Sequence, residues 1–139
     1  MIILDTNVVS EPMKLNGNPE VRIWLDQQAA ESLYLTATSL SELLYGIEIL
    51  PPGRRKEGLD TALGDLLEKL FGSRILPFDK TAARAYAPLV GRAKANGSAI
   101  SVADGQIAAI AAIHGFTVAT RDTAPFVAAG IPIINPWID

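Results

Sequence analysis

Short apolar stretches alternate with helical ones along the whole chain, and that alternation admits few architectures. Runs at 2–4, 33–37, 75–78, 116–120 and 131–134 have strand length, and segments of helical spacing lie between them. Strands separated by helices pair in parallel, and each crossover lays a helix on the sheet, so both sheet faces end up covered. The predicted fold class is therefore α/β, a three-layer α/β/α sandwich around a central, mainly parallel sheet of about five strands.

The helices are read from caps and spacing. Asn18-Pro19 supplies an N-cap and a first-turn proline, with Val21, Trp24 and Leu25 following at helical spacing. A second helix is expected from Ser39 to Ile49, stopped by Pro51-Pro52-Gly53 and followed by a basic loop, Arg54-Arg55-Lys56. The next runs from Gly58 to Phe71 on Leu59, Leu63, Leu66, Leu67 and Leu70. Asp79 is a natural N-cap for a helix ending at Asn96-Gly97, and an alanine-rich helix runs from Ser101 to His114-Gly115. No repeat, low-complexity tract or linker interrupts the 139 residues, so 1–139 reads as one domain, long enough to bury its own core.

Composition narrows the chemistry. With no cysteine, thiolate metal sites are excluded, and a single histidine, His114, argues against a nitrogen-rich one. The metal open to this chain is a hard one, held through oxygen. No run approaches a membrane span, and an acid interrupts the apolar start at Asp5, so the expected location is cytoplasmic, with no membrane contact. The net charge of −3 opposes broad electrostatic capture of nucleic acid unless metal or a basic partner neutralises some of the 15 acids.

Where four of those acids fall is more informative. Asp5 ends strand one and Asp122 lies just past strand four. Ligands of parallel sheets bind outside the carboxyl ends of strands, near the point where strand order reverses. Glu42 and Asp104 each fall in the first turn of a predicted helix, which brings them to the same rim if those helices begin there. Each also has an ordinary reading. Asp5 and Asp122 suit turns, while Ser39-Leu40-Ser41-Glu42 fits a capping box and Ser101-Val102-Ala103-Asp104 resembles one. Gly105, inside a helix and next to Asp104, leaves room for a metal or phosphate, or for close packing on the sheet.

At these positions the chain resembles the PIN-domain nucleases, specifically the VapC and FitB type of toxin from bacterial toxin–antitoxin pairs. Ile3-Leu4-Asp5-Thr6-Asn7-Val8 is similar to the first family motif and Ser41-Glu42-Leu43 with Gly46 to the second. Ala103-Asp104 with Ile107-Ala108 resembles the third, and Ala119-Thr120-Arg121-Asp122 the fourth. Ile75-Leu76-Pro77-Phe78-Asp79 and Asn135-Pro136-Trp137 also look typical of the subgroup. The likeness runs the length of the chain, in order. It implies a PIN-like fold, and a catalytic metal site made by Asp5, Glu42, Asp104 and Asp122. Thr120 would orient Asp122 or a water, with smaller supporting roles for Thr6 and Asn7. It further implies RNA as substrate, a cognate DNA-binding antitoxin, and a toxin homodimer.

Converging carboxylates repel one another, and some would stay protonated without a cation. Mg2+ or Mn2+ relieves that repulsion, can lower the pKa of a bound water and stabilises charge on a phosphate, so the lack of a histidine base is no obstacle. His114 fits a structural role at a helix C-terminus. Arg54, Arg55 and Lys56 could grip RNA backbone or form a solvated turn. Alanines 108, 109, 111 and 112 would let another surface approach closely, either the sheet or a second copy of the chain.

Three rival readings stand beside this one. A phosphoacceptor receiver domain, a signalling switch, would use Asp5, Asp79 and Thr120. It also wants paired acids after strand one and a lysine after strand five, where Thr6-Asn7 and Asn135-Pro136 stand. A phosphatase with Asp5 as nucleophile wants a second acid where Asn7 is. A PIN-fold module that only binds a partner has no need of four intact acids.

Overall fold

The computed structural model describes residues 1–138. Five strands, β1 (Ile2–Leu4), β2 (Leu33–Thr36), β3 (Ile75–Leu76), β4 (Thr117–Ala119) and β5 (Ile133–Ile134), form one sheet in the order β3-β2-β1-β4-β5. Every pairing is parallel, with Ile2 opposite both Leu33 and Thr117 and Val118 opposite Ile133. Strand order thus reverses between β1 and β4, and the crevice outside their carboxyl ends is where a ligand of such a sheet binds. The receiver fold has the order 2-1-3-4-5, so this topology excludes that reading.

The helices are α1 (Thr6–Ser10), α2 (Pro19–Asp26), α3 (Ala37–Glu48), α4 (Arg54–Leu66), α5 (Lys80–Ala95), α6 (Val102–His114) and α7 (Ala124–Ala128). Alternation along the strands sorts the core into two halves. Ile3 and Val118 face α5, α6 and α7, where Ala82, Leu89, Ile107, Ile110 and Phe126 are buried. Leu4, Leu33, Leu35 and Ala119 face the other way, onto Val8, Val9, Val21, Leu43, Leu63 and Phe71. Helices on both faces make the three layers expected.

Several boundaries differ from those expected of the sequence, each for a local reason. The second helix starts at Ala37, not Ser39, because Thr36 at the end of β2 turns its hydroxyl to accept from Ser39 N at 3.0 Å. Ser39 is therefore helix interior, fully buried and without a hydrogen-bond partner for its hydroxyl, and the capping box ending at Glu42 does not form. Arg54-Arg55-Lys56 are the first turn of α4 and not a loop. The segment 58–71 is the rest of α4 followed by a wider π-type turn, Leu67–Phe71, which buries Phe71. Helices α1 and α7 are not foreseen by the sequence pattern. Each is only five residues long, too short to display a periodicity.

Gly105 also has a different reason from those first considered. A Cβ there would lie 2.7 Å from Tyr86 Cε2 and 2.9 Å from Val90 Cγ2. The missing side chain lets α5 cross α6, and it opens no space for a metal or phosphate. Ala108, Ala109 and Ala111 are likewise fully buried within the chain and serve its own packing, whereas Ala112 is exposed.

Candidate active site

Asp5 follows β1 without an intervening loop. Its backbone stays extended while its carboxylate caps α1, accepting from Thr6 N at 2.8 Å through Oδ1. Oδ2 accepts from the Thr120 hydroxyl at 2.8 Å and, more weakly, from Asn7 Nδ2 at 3.5 Å. The side chain is buried at the switch point between β1 and β4, where Asp5 N also donates to Ala119 O.

The other acids come to this rim by three routes. Asp122 is tied through its amide, which donates to Thr120 Oγ1 at 3.1 Å. Glu42 stands in the second turn of α3, and its Oε1 accepts from the Thr6 hydroxyl at 2.9 Å. Asp104 lies in the first turn of α6, whose start is capped by the Ser101 hydroxyl accepting from Asp104 N at 3.1 Å. Thr38 Oγ1 also donates to Gln106 Oε1 at 2.8 Å, which straps the first turn of α3 to the start of α6.

Electrostatics tie the four together. Burial pushes the Asp5 carboxyl above its ordinary value; the Thr120 and Thr6 bonds pull it back, and the charges of Glu42 and Asp122 raise it further. Burial also raises Asp104, followed by the charge of Asp5, with the Ser101 bond opposing and Asp122 adding a little. Among the described residues, no three carboxylate or imidazole groups converge tightly enough to make a finished coordination shell. What the rim offers is an all-oxygen donor set whose members repel one another, and that chemistry suits a hard divalent ion.

Thr6, Asn7 and Thr120 all touch this rim, each joining Asp5 to another part of it. Asn7 Oδ1 accepts from Arg121 N at 3.3 Å, so the fourth motif is pinned to the first. Arg54, Arg55 and Lys56 are not gathered here. Lys56 Nζ donates to Glu48 O at the far end of α3, six residues and about 9 Å along the axis from Glu42. His114 sits in the last turn of α6, stacked on Phe116 with 5.3 Å between centroids. The Thr38–Gln106 strap and the seat of Arg121 on Trp137 are features near the rim that sequence reasoning does not single out. Gln106 carries no signal in sequence, whereas Arg121 stands inside a recognisable motif between Thr120 and Asp122.

The description "PIN domain" matches residues 2–131. The chain belongs to the PIN-domain family. Within it, the chain is similar to "VapC ribonuclease Y4jK" of Sinorhizobium fredii, 51% identical over 138 residues, covering 99% of this chain and 98% of that one. It is 46% identical over 139 residues to "Toxin FitB" of Neisseria gonorrhoeae, with both chains covered completely. Among solved structures, FitAB bound to an IR36 DNA fragment matches with a TM-score of 0.89 and 44% identity, over 99% of this chain and 96% of that one. The PIN-domain match takes in Asp5, Glu42, Asp104 and Asp122.

Proposed function

We propose that this PIN domain is a Mg2+- or Mn2+-dependent endoribonuclease that hydrolyses RNA phosphodiester bonds, and that it is the toxin of a toxin–antitoxin pair. The observation that carries this reading is the buried Asp5 at the β1/β4 switch point, with the charges of Glu42 and Asp122 bearing on it and its own bearing on Asp104. Likeness to a VapC ribonuclease and to the toxin FitB supports it.

Asp5, Glu42, Asp104 and Asp122 would hold the ion. When bound, it would offset their repulsion, acidify a water and polarise the phosphate to be cut. The remaining work falls to the chain. Thr120 and Thr6 N hold both oxygens of Asp5 in one orientation, so its carboxylate is preorganised. The Thr6 hydroxyl keeps Glu42 turned toward the rim, and Asn7 locks the Arg121–Asp122 segment against it.

No described helix is long and apolar enough to cross a membrane. We read 1–139 as a single domain that acts in the cytoplasm as a homodimer. The likeness to FitAB on DNA supports a cognate DNA-binding antitoxin as partner. Incubating the purified protein with structured RNAs, with Mg2+, Mn2+ or chelator, tests the enzyme. Cleavage is expected only with metal, and cleavage undiminished in chelator overturns the metal site.

A further inference from the structure

Arg121 stands between Thr120 and Asp122 in the chain, so its backbone runs through the acidic rim. Its amide is held by Asn7 Oδ1 at 3.3 Å, so its backbone is set by the same network that orients Asp5. Its guanidinium carbon lies 5.2 Å from the centroid of the Trp137 ring. That ring is half-buried against the core that includes Leu4, Val8 and Ala119, and Trp137 N donates to Asn135 Oδ1 at 3.0 Å, so the platform under the guanidinium is fixed.

Among the described residues, the donors of this arginine are otherwise unused, and its guanidinium makes no hydrogen bond or ion pair, although Asp122 is adjacent in sequence. Glu11, which feels the charge of Arg121, is already engaged by Lys14 at 3.1 Å and by Asn18 N at 2.9 Å. The residue is exposed, so a planar cation with five N–H groups is held over a ring and open to solvent, one position along the chain from Asp122 of the acidic crevice.

Such a crevice repels the polyanion it is meant to cut. A strand that sets one phosphate among four carboxylates carries its neighbouring phosphates past the same rim, and those need a cation. The Lys56 ammonium of the basic triplet at 54–56 is already held by Glu48 O near the other end of α3, whereas Arg121 adjoins Asp122 in the chain. We infer that Arg121, seated on Trp137, grips a backbone phosphate of single-stranded RNA beside the one being cut. This rests on the ribonuclease reading above. An arginine fork pairs two N–H groups with two phosphate oxygens, and the ring fixes the plane in which it does so.

The test uses the full chain carrying Asp104→Asn, so that RNA is bound but not cut. A fluorescent single-stranded oligoribonucleotide is titrated in Mg2+ over a range of salt. Adding Arg121→Gln should weaken binding roughly tenfold at low salt, as for loss of a charged hydrogen bond. The slope of log affinity against log salt should also shrink by about 0.7, the share of one phosphate on a single strand. Arg121→Lys should keep most of the slope and lose part of the affinity. In the cleaving protein, Arg121→Gln should raise KM and leave kcat nearly unchanged. Melting temperatures taken alongside separate binding from folding. An Arg121→Gln protein with unchanged affinity and salt slope overturns the inference while leaving the ribonuclease reading standing. A variant that loses only a protein partner overturns it in the same way. RNA binding absent even with Arg121 in place brings down both.

Discussion

Thr120 Oγ1 donates to Asp5 Oδ2 at 2.8 Å, joining the carboxyl ends of β1 and β4 across 115 positions of sequence. The same oxygen accepts from Asp122 N at 3.1 Å. One fully buried hydroxyl thereby sets the orientation of one acid and the backbone of another.

Thr120→Val keeps the shape and removes both bonds. The expected result is a loss of about 1–3 kcal/mol of stability, from the unsatisfied partners. Cleavage should fall about 10–100-fold, the usual effect of removing a group that orients a metal ligand. Denaturant unfolding and initial rates check the two effects; a wild-type rate would show that Asp5 needs no orienting.

Asp104→Asn separates a catalytic acid from a capping one. The folded-state pKa values of Asp5 and Asp104 are raised, so the native protein binds protons more tightly than the unfolded chain. The contribution of these groups is therefore most favourable below the ordinary aspartate range, and it declines as pH rises through the raised values. At neutral pH the metal-free Asp104→Asn protein should melt at or above the parent temperature, yet cut no RNA. Added Mg2+ should raise the melting temperature of the parent much more than that of the variant. A lower melting temperature with activity spared would make Asp104 a structural residue.

Glu11 behaves in the opposite sense. The Asn18 amide and then the Lys14 ammonium hold its carboxyl below the usual value. Its contribution is complete above the unfolded value and lost as pH falls through the lowered folded one. Glu11→Gln should cost on the order of 1 kcal/mol at pH 7, through weakened charge-assisted hydrogen bonds. The gap between the two unfolding curves should close on acidification, and a gap independent of pH would assign the loss to packing.

Gly105→Ala tests helix crossing against helix propensity. Alanine gains about 1 kcal/mol in an isolated helix. Here its Cβ would come within 3.0 Å of both Tyr86 and Val90, and overpacking of that kind costs about 1–3 kcal/mol. A net loss is expected in thermal unfolding, and in a Tyr86→Ala background Gly105→Ala should cost less, with only the Val90 contact left. A more stable Gly105→Ala protein would mean that α5 yields easily.

A partner that silences this rim should place a cation in it, and arginine is the expected residue because its fork pairs with carboxylates and keeps its proton. Complex formation should then weaken Mn2+ binding, and Mg2+ should compete with the inserted segment. Calorimetric titration of Mn2+ into free protein and into the complex reads this directly. Equal affinity in both would place inhibition elsewhere.

The sequence by itself determined the α/β class and the parallel sheet, and it singled out the four acids. These rest on patterns local to a few residues: an apolar run that ends in Asp5, a serine three positions before Asp104, motifs at fixed spacing. It could not show that the capping box ending at Glu42 fails to form, because that depends on where α3 begins, and Thr36 moved the start two residues upstream. Nor could it assign Gly105 to the α5–α6 crossing or place Lys56 at the far end of α3, since each depends on partners distant in the chain. The strand order β3-β2-β1-β4-β5, the Thr120–Asp5 bond and the seat of Arg121 on Trp137 were decided only by tertiary structure. A hydrogen bond or ring contact needs two groups within a few ångströms, and only chain packing brings residues so far apart in sequence that close.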